Sequence, residues 1–109
     1  MEFDPQNSYH DYLLTRICQV IANPNSRRAL EIVATTPQTE SELADRFDVA
    51  YPQIKRALRL MTELKLVKPN LVGRRSIRIY ELDGGGLRLV RSWLDRIASI
   101  SDGTGHVKR

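Results

Sequence analysis

Only one cysteine, Cys18, occurs in the 109 residues. That excludes an intrachain disulfide and any metal cage built of cysteines alone. Long apolar runs are missing too, and none approaches the ~18 residues of a membrane-spanning helix. No internal repeat or low-complexity tract is present. The opening stretch MEFDPQNSYHDY is acidic and polar, which is not the pattern of a secretory signal. These absences predict a soluble intracellular protein with no membrane partner, and for a small basic chain the compartment expected is the cytoplasm. At 41% hydrophobic and 28% charged the composition is globular, and the length suits one domain with a modest core.

The net charge of +4 conceals an asymmetry. Residues 1–48 carry 4 basic and 8 acidic side chains, and residues 49–109 carry 13 basic and 5 acidic. Between 51 and 80 there are 8 cations, Lys55, Arg56, Arg59, Lys65, Lys68, Arg74, Arg75 and Arg78, against the single acid Glu63. A basic middle beside an acidic start points to a face for a polyanion, with a merely solvated surface as the bland alternative.

Periodicity divides the chain. Tyr9, Leu13, Ile17, Val20 and Ile21 recur at helical spacing over 8–22, with Ser8 as the expected N-cap. Asn23-Pro24 breaks that helix. A second helix over about 25–35 carries Ala29, Leu30, Ile32 and Val33. Thr39 and Glu42 form a capping-box pattern ahead of Leu43, Ala44 and Phe47. Asp48-Val49 is a short turn, and Pro52 fits the first turn of a following helix with Ile54, Leu58 and Met61 inside. The period then changes. Residues 66–72, the tripeptide Gly73-Arg74-Arg75, and 76–82 read as a hairpin with a cationic tip, Ile77 and Ile79 alternating with Ser76, Arg78 and Tyr80. Pro69 argues for an edge strand or a bulge. Gly84, Gly85 and Gly86 read as a flexible joint before a last helix over about 86–100. The order is helix, helix, helix–turn–helix, hairpin, helix. That is a mainly α chain with a small β-hairpin (α+β): a winged helix-turn-helix. Residues 1–7 are expected as an N-terminal tail, 8–100 as the domain, and 101–109 as a frayed C-terminal tail.

The spacing from 40 to 58 carries the functional signal. A helix-turn-helix needs a small residue where its helices cross, here Ala44, and an apolar residue returning to that crossing, here Ile54. Leu43 and Leu58 complete the contact. The free side of the second helix can then enter the major groove. On it lie Tyr51, Gln53, Lys55, Arg56 and Arg59. Gln53 can pair with adenine and Arg56 with guanine. Arg74 and Arg75 at the wing tip, with Arg78 behind them, would touch backbone or minor groove. Arg27 and Arg28 open the second helix, whose N–H groups could hold a phosphate.

The blocks IANPNSRRALEIV, QTESELADRFDVAYPQIKRALRLMTELKLV and GRRSIRIYELD resemble those of the ArsR-type winged-helix transcriptional regulators, over about residues 10–98. The resemblance implies a dimeric operator-binding repressor, with recognition helix 51–65 and wing 66–82. It also implies a dimer interface made by the first and last helices. Tyr9, Leu13, Ile17, Leu87, Val90, Trp93, Leu94 and Ile97 are its candidates. The partners implied are double-stranded DNA with a palindromic operator, a second copy of the chain, and an unidentified small-molecule effector. There are three departures from the family pattern. Ala50 replaces the usual capping Ser, Asp48 replaces Gly in the turn, and Leu71 and Val72 are apolar where the wing is usually polar. Packing of these two on Ile77 and Ile79 is the reading favoured over a separate contact surface.

Metal sites in this family use paired cysteines on the first helix of the motif or Asp/His pairs on the last. ESELADRFD contains no cysteine, and LRLVRSWLDRIASI has Asp95 but no histidine. No metal and no cofactor are expected. A site joining Cys18 to His10 across a dimer is the weaker reading. Cys18 fits better as a small buried hydrophobe in a dimer helix, and His106 lies near the far end. Glu40, Glu42, Asp45 and Asp48 read as a solvated helix face, and Trp93 as core or interface rather than a ligand platform. No nucleophile–base pairing suggests catalysis. The reading is a sequence-specific regulator without enzyme activity. Its alternatives are a plasmid, phage or architectural DNA-binding winged helix, or a winged helix used for protein contact.

Overall fold

Eight elements follow one another in the computed structural model, which describes residues 1–75 and 77–104. They are α1 (Ser8–Ala22), α2 (Pro24–Thr35), β1 (Gln38–Thr39), α3 (Glu40–Phe47), α4 (Tyr51–Glu63), β2 (Val67–Val72), β3 (Ile77–Leu82) and α5 (Gly84–Thr104). The winged helix-turn-helix is present, with one strand more than the hairpin predicted. β1 pairs antiparallel with β3, so the sheet order is β1-β3-β2 and Pro69 lies on an edge strand.

Local chemistry sets the boundaries. The N-cap of α1 is Asn7, not Ser8: its Oδ1 accepts the Tyr9 and His10 N–H groups at 2.9 and 3.4 Å. Asn23 ends α1 and starts α2, its Oδ1 taking the Asn25 and Ser26 N–H groups. α2 therefore begins on Pro24, whose missing N–H costs nothing at that position. The capping box of α3 is complete, Thr39 N–H to Glu42 Oε1 at 2.8 Å and Glu42 N–H to Thr39 Oγ1 at 3.1 Å. Asp48 ends α3 in the left-handed region at φ 51°, a conformation a short polar side chain tolerates. Ala50 caps α4 with no side-chain hydrogen bond. α4 stops at Glu63, two residues short of the predicted 65, because Lys65 turns left-handed at φ 61° and Leu66 N–H bonds to Met61 O at 2.9 Å.

Leu13, Ile17, Leu30, Leu43, Leu58, Met61, Leu64, Leu66, Val67, Tyr80 and Leu89 are the heart of the core. The buried face of β3 is the one that carries Tyr80 and Leu82, not the one that carries Ile77 and Ile79. Its register puts Tyr80 opposite Pro69 and Leu82 opposite Val67 on the buried face, while Ile79 and Ile77 lie opposite Asn70 and Val72 on the outer face. The larger Tyr80 ring is the one buried, and its hydroxyl finds a partner at the rim. The predicted packing of the wing apolars is correspondingly incomplete. Val72 sits beside Ile77, yet both are about half exposed, and Leu71 falls on the other face at 65% exposure.

The three glycines are not a loop. They form the first turn of α5, with Gly86 N–H bonded to Lys65 O at 2.8 Å. α5 also runs on through Thr104, so residues 101–104 continue the helix rather than fray. The rest of the expected tail, 105–109 with His106, and Ser76 of the predicted strand alternation lie outside the described residues. At the other end, residues 1–7 are held rather than loose. Phe3 packs against the core, and Asp4 N–H donates to His10 Nδ1 at 2.9 Å.

Candidate nucleic-acid interface

The amphipathic character of α4 divides its side chains cleanly. Leu58 and Met61 are buried, Ile54, Ala57 and Leu60 half-buried, and Tyr51, Gln53, Lys55, Arg56 and Arg59 exposed. Ala44 on α3 is buried, and Ile54 on α4 packs against the core. The exposed set is thus held on a helix anchored from beneath.

Two depressions meet between α4 and the hairpin. One, about 490 Å³, is lined by Thr39, Glu40, Ser41, Tyr51, Lys55, Leu71, Ile77 and Arg78. The second, about 230 Å³, continues along Glu40, Lys55, Arg59, Thr62, Glu63, Pro69, Arg78 and Tyr80. Tyr51, Lys55, Arg59 and Arg78 are therefore brought together across one groove. Gln53 lies on the other flank of α4, in a hollow of about 220 Å³ shared with Asn23, Asn25 and Ser26. Arg56 is exposed and lines none of the three. Arg74 and Arg75 are exposed in the turn after Gly73, whose φ of 79° suits a residue without Cβ.

Arg27 and Arg28 do not frame a phosphate site at the start of α2. Pro24 has no N–H. Asn23 Oδ1 accepts the N–H groups of Asn25 and Ser26, and Asn23 O accepts that of Arg27 at 3.0 Å. The amides that would hold an anion are already committed, and Arg27 Nη1 donates to Ile21 O at 2.6 Å. Arg28 is simply exposed.

Glu40 was the residue the sequence pattern missed. Read as part of a solvated acidic face, it is half-buried and accepts hydrogen bonds on both carboxylate oxygens, from Tyr51 Oη on Oε1 and from Tyr80 Oη on Oε2 at 3.1 Å. Its neighbours Glu42, Asp45 and Asp48 are exposed, as the solvated-face reading has it. The Glu40 carboxylate holds the Tyr51 phenol above its ordinary value, and the Arg78 charge partly offsets this. Burial raises the Tyr80 phenol, Glu40 adds to the rise, and Arg78 again opposes it. The only advance signal was the capping box, which fixes Glu40 as the first residue of α3.

The candidate dimer residues separate into two groups. Leu13 and Ile17 are 1% and 0% exposed in the chain's own core, so they have no surface to offer a second copy. Helical periodicity identified their inward face correctly but could not say what lay inside. Leu87 and Val90 pack partly on that core, and Trp93 is half-buried. Tyr9, Leu94 and Ile97 are exposed, together with Ile100 and with Tyr12, whose ring stacks on Tyr9 at 6.1 Å. Cys18 is exposed on the surface of the single chain. Among the described residues no group of three or more His, Cys, Asp or Glu side chains is placed to hold a metal ion, and no helix is long and apolar enough to cross a membrane.

No family model matches the chain. It is 33% identical over 81 residues, 74% of each chain, to an HTH-type transcriptional regulator of Mycobacterium tuberculosis. Its fold is similar to the crystal structure of an ArsR family transcriptional regulator at 25% identity and a TM-score of 0.72, covering 84% of this chain and 93% of that one. It also matches the fold of a homodimeric winged helix-turn-helix DNA-binding domain from Mycobacterium bovis. There the identity is 13% and the TM-score 0.64, with 97% and 95% of the two chains covered.

Proposed function

The chain belongs to the ArsR family of winged helix-turn-helix transcriptional regulators, and from that premise we propose that it is a sequence-specific, homodimeric repressor that binds an imperfectly palindromic operator. The observation that carries the reading is the groove between α4 and the wing. Lys55 and Arg59 on the helix face Arg78 on the strand, while the opposite side of the helix is buried. A cationic helix braced from behind and flanked by a cationic hairpin fits the major groove with the wing over adjacent backbone.

Homodimerisation is supported by the exposed Tyr9, Leu94 and Ile97 on α1 and α5 and by the homodimeric state of the related Mycobacterium bovis domain. Two copies would present two recognition helices to successive major grooves, roughly one helical turn (~34 Å) apart. Regulation without metal is supported by the residues themselves: α3 carries no cysteine and α5 no histidine. An effector, in this reading, would act by changing the angle between the subunits and so the spacing of the two helices. A regulator of this kind works on DNA in the cytoplasm, the compartment proposed for this chain.

Selection of duplexes from a random library, followed by a mobility shift at several salt concentrations, tests the reading. Affinity should fall steeply with salt, with a log–log slope of about −0.9 per phosphate neutralised. Arg56→Ala should cost about 1–3 kcal/mol on the selected duplex if it pairs with a base. A flat salt response without sequence preference would refute the regulator. Light scattering should give a dimer at micromolar concentration.

A further inference from the structure

The cationic groove contains a carboxylate with a defined task. Glu40 lines both depressions between α4 and the wing, alongside Lys55 and Arg78. It takes no part in capping its own helix, since that work is done by Thr39 and Glu42. Instead one oxygen accepts from Tyr51 Oη, on the first residue of α4, and the other from Tyr80 Oη in β3 at 3.1 Å. A single side chain at the start of α3 thus spans the recognition helix and the wing strand.

We propose that Glu40 is the positioning residue of the DNA interface and sets its selectivity: it fixes the recognition helix against the wing through the two tyrosine hydroxyls, and its charge weakens indiscriminate phosphate binding in the groove. The inference rests on the DNA-binding reading above. Two consequences follow from elementary chemistry. A phosphate drawn in by Lys55, Arg59 and Arg78 meets a negative charge at the same place, so backbone contact alone is a poor reason to bind. The Tyr51 hydroxyl, its proton committed to Glu40, is left with acceptor lone pairs. These suit the exocyclic amino group of adenine or cytosine in the major groove and do not suit the carbonyl edge of guanine or thymine.

The test compares the full-length wild type with Glu40→Gln, Tyr51→Phe and the double variant. The probes are a duplex enriched by the wild type from a random library and a duplex of unrelated sequence. Glu40→Gln should bind the unrelated duplex about threefold more tightly and the enriched duplex about threefold more weakly. The ratio of the two affinities then drops about tenfold, the size expected of one hydrogen bond to a charged group. On the enriched duplex the double variant should bind no more weakly than the worse single variant, because there Tyr51 and Glu40 act as one unit. Glu40→Asp retains the charge but is too short to reach both hydroxyls. It should leave the unrelated duplex at wild-type affinity and weaken only the enriched one, which keeps the inference testable if the glutamine variant folds poorly. Equal losses on both duplexes in the glutamine and aspartate variants, or additive losses on the enriched duplex in the double variant, would overturn the role given to Glu40. Failure of the wild type to enrich any duplex would overturn the DNA-binding reading, and this inference with it.

Discussion

The backbone N–H of Phe3 donates to Ser92 Oγ at 2.6 Å, and that hydroxyl donates in turn to Leu89 O at 3.0 Å. The contact joins the first residues of the chain to α5 across 89 positions of sequence. Phe3 is also partly buried against the core and lies beside the His10 ring at 6.3 Å. Phe3→Ala should therefore destabilise the domain by about 1–2 kcal/mol, below the cost of removing a fully buried phenylalanine. For a chain of this size that lowers the melting temperature by roughly 4–8 °C per kcal/mol. Thermal denaturation followed by circular dichroism reads this directly, and an unchanged melt would mean the segment adds nothing.

Gly86 and Gly84 should respond in opposite ways to alanine. A Cβ on Gly86 would lie 2.5 Å from Leu64 O and 3.0 Å from Lys65 O, which are backbone atoms that cannot step aside. A Cβ on Gly84 would meet only the mobile end of Arg88. Gly86→Ala is expected to cost about 2 kcal/mol or more, as overpacking in a tight place does, and Gly84→Ala to stay within about 0.5 kcal/mol of wild type. Urea denaturation of the two variants side by side decides it.

Ala50→Ser should stabilise the protein. The N-cap of α4 has extended backbone at φ −64° and ψ 139° and makes no side-chain hydrogen bond. A serine hydroxyl there can accept an N–H of the first turn, a gain of about 1 kcal/mol. The denaturation midpoint should rise without a change in the denaturant dependence. No rise would indicate that Pro52 leaves the first turn too few accessible donors.

The two tyrosines on Glu40 predict a loss of stability at high pH. Both phenols are raised in the folded protein, Tyr51 chiefly by its hydrogen bond to Glu40 and Tyr80 chiefly by burial with Glu40 adding to it. An unfolded tyrosine ionises at about pH 10. The protonated forms therefore contribute fully below that pH, and the contribution is lost as pH rises through the higher folded values. Denaturation midpoints measured across this range should fall less steeply in Glu40→Gln than in wild type. Parallel curves would count against the hydrogen bonds as the cause.

Most of the architecture was legible because it rests on local rules. The Thr39–Glu42 box, the Asn23-Pro24 break, the left-handed Asp48 and the uncapped Ala50 each involve groups within a few residues of one another. What escaped the sequence depends on distant partners. The alternation in β3 has the same period whichever face is inward, and the partner that satisfies the buried Tyr80 hydroxyl, Glu40, lies 40 residues away. Leu13 and Ile17 carry the right spacing for an apolar face, yet spacing cannot distinguish a chain's own core from a second copy. Lys65 ends α4 in a backbone conformation that its residue type does not announce. Lys55, Arg59 and Arg78 stood out by charge, and the fold brings them to the lining of one groove. Beside Arg27, the cap that Asn23 makes takes the amides, which charge and spacing alone do not announce.

The Gly86 N–H bond to Lys65 O and the missing Cβ beside Leu64 O join α5 to the end of α4 backbone to backbone. α5 has 21 residues, a stiff arm of about 31 Å at helical rise, pinned at this end with no side chain between to cushion it. Gly86 is in effect a fulcrum. A side chain introduced at that point would pry α5 away from the chain that follows α4 and deprive the arm of its anchor.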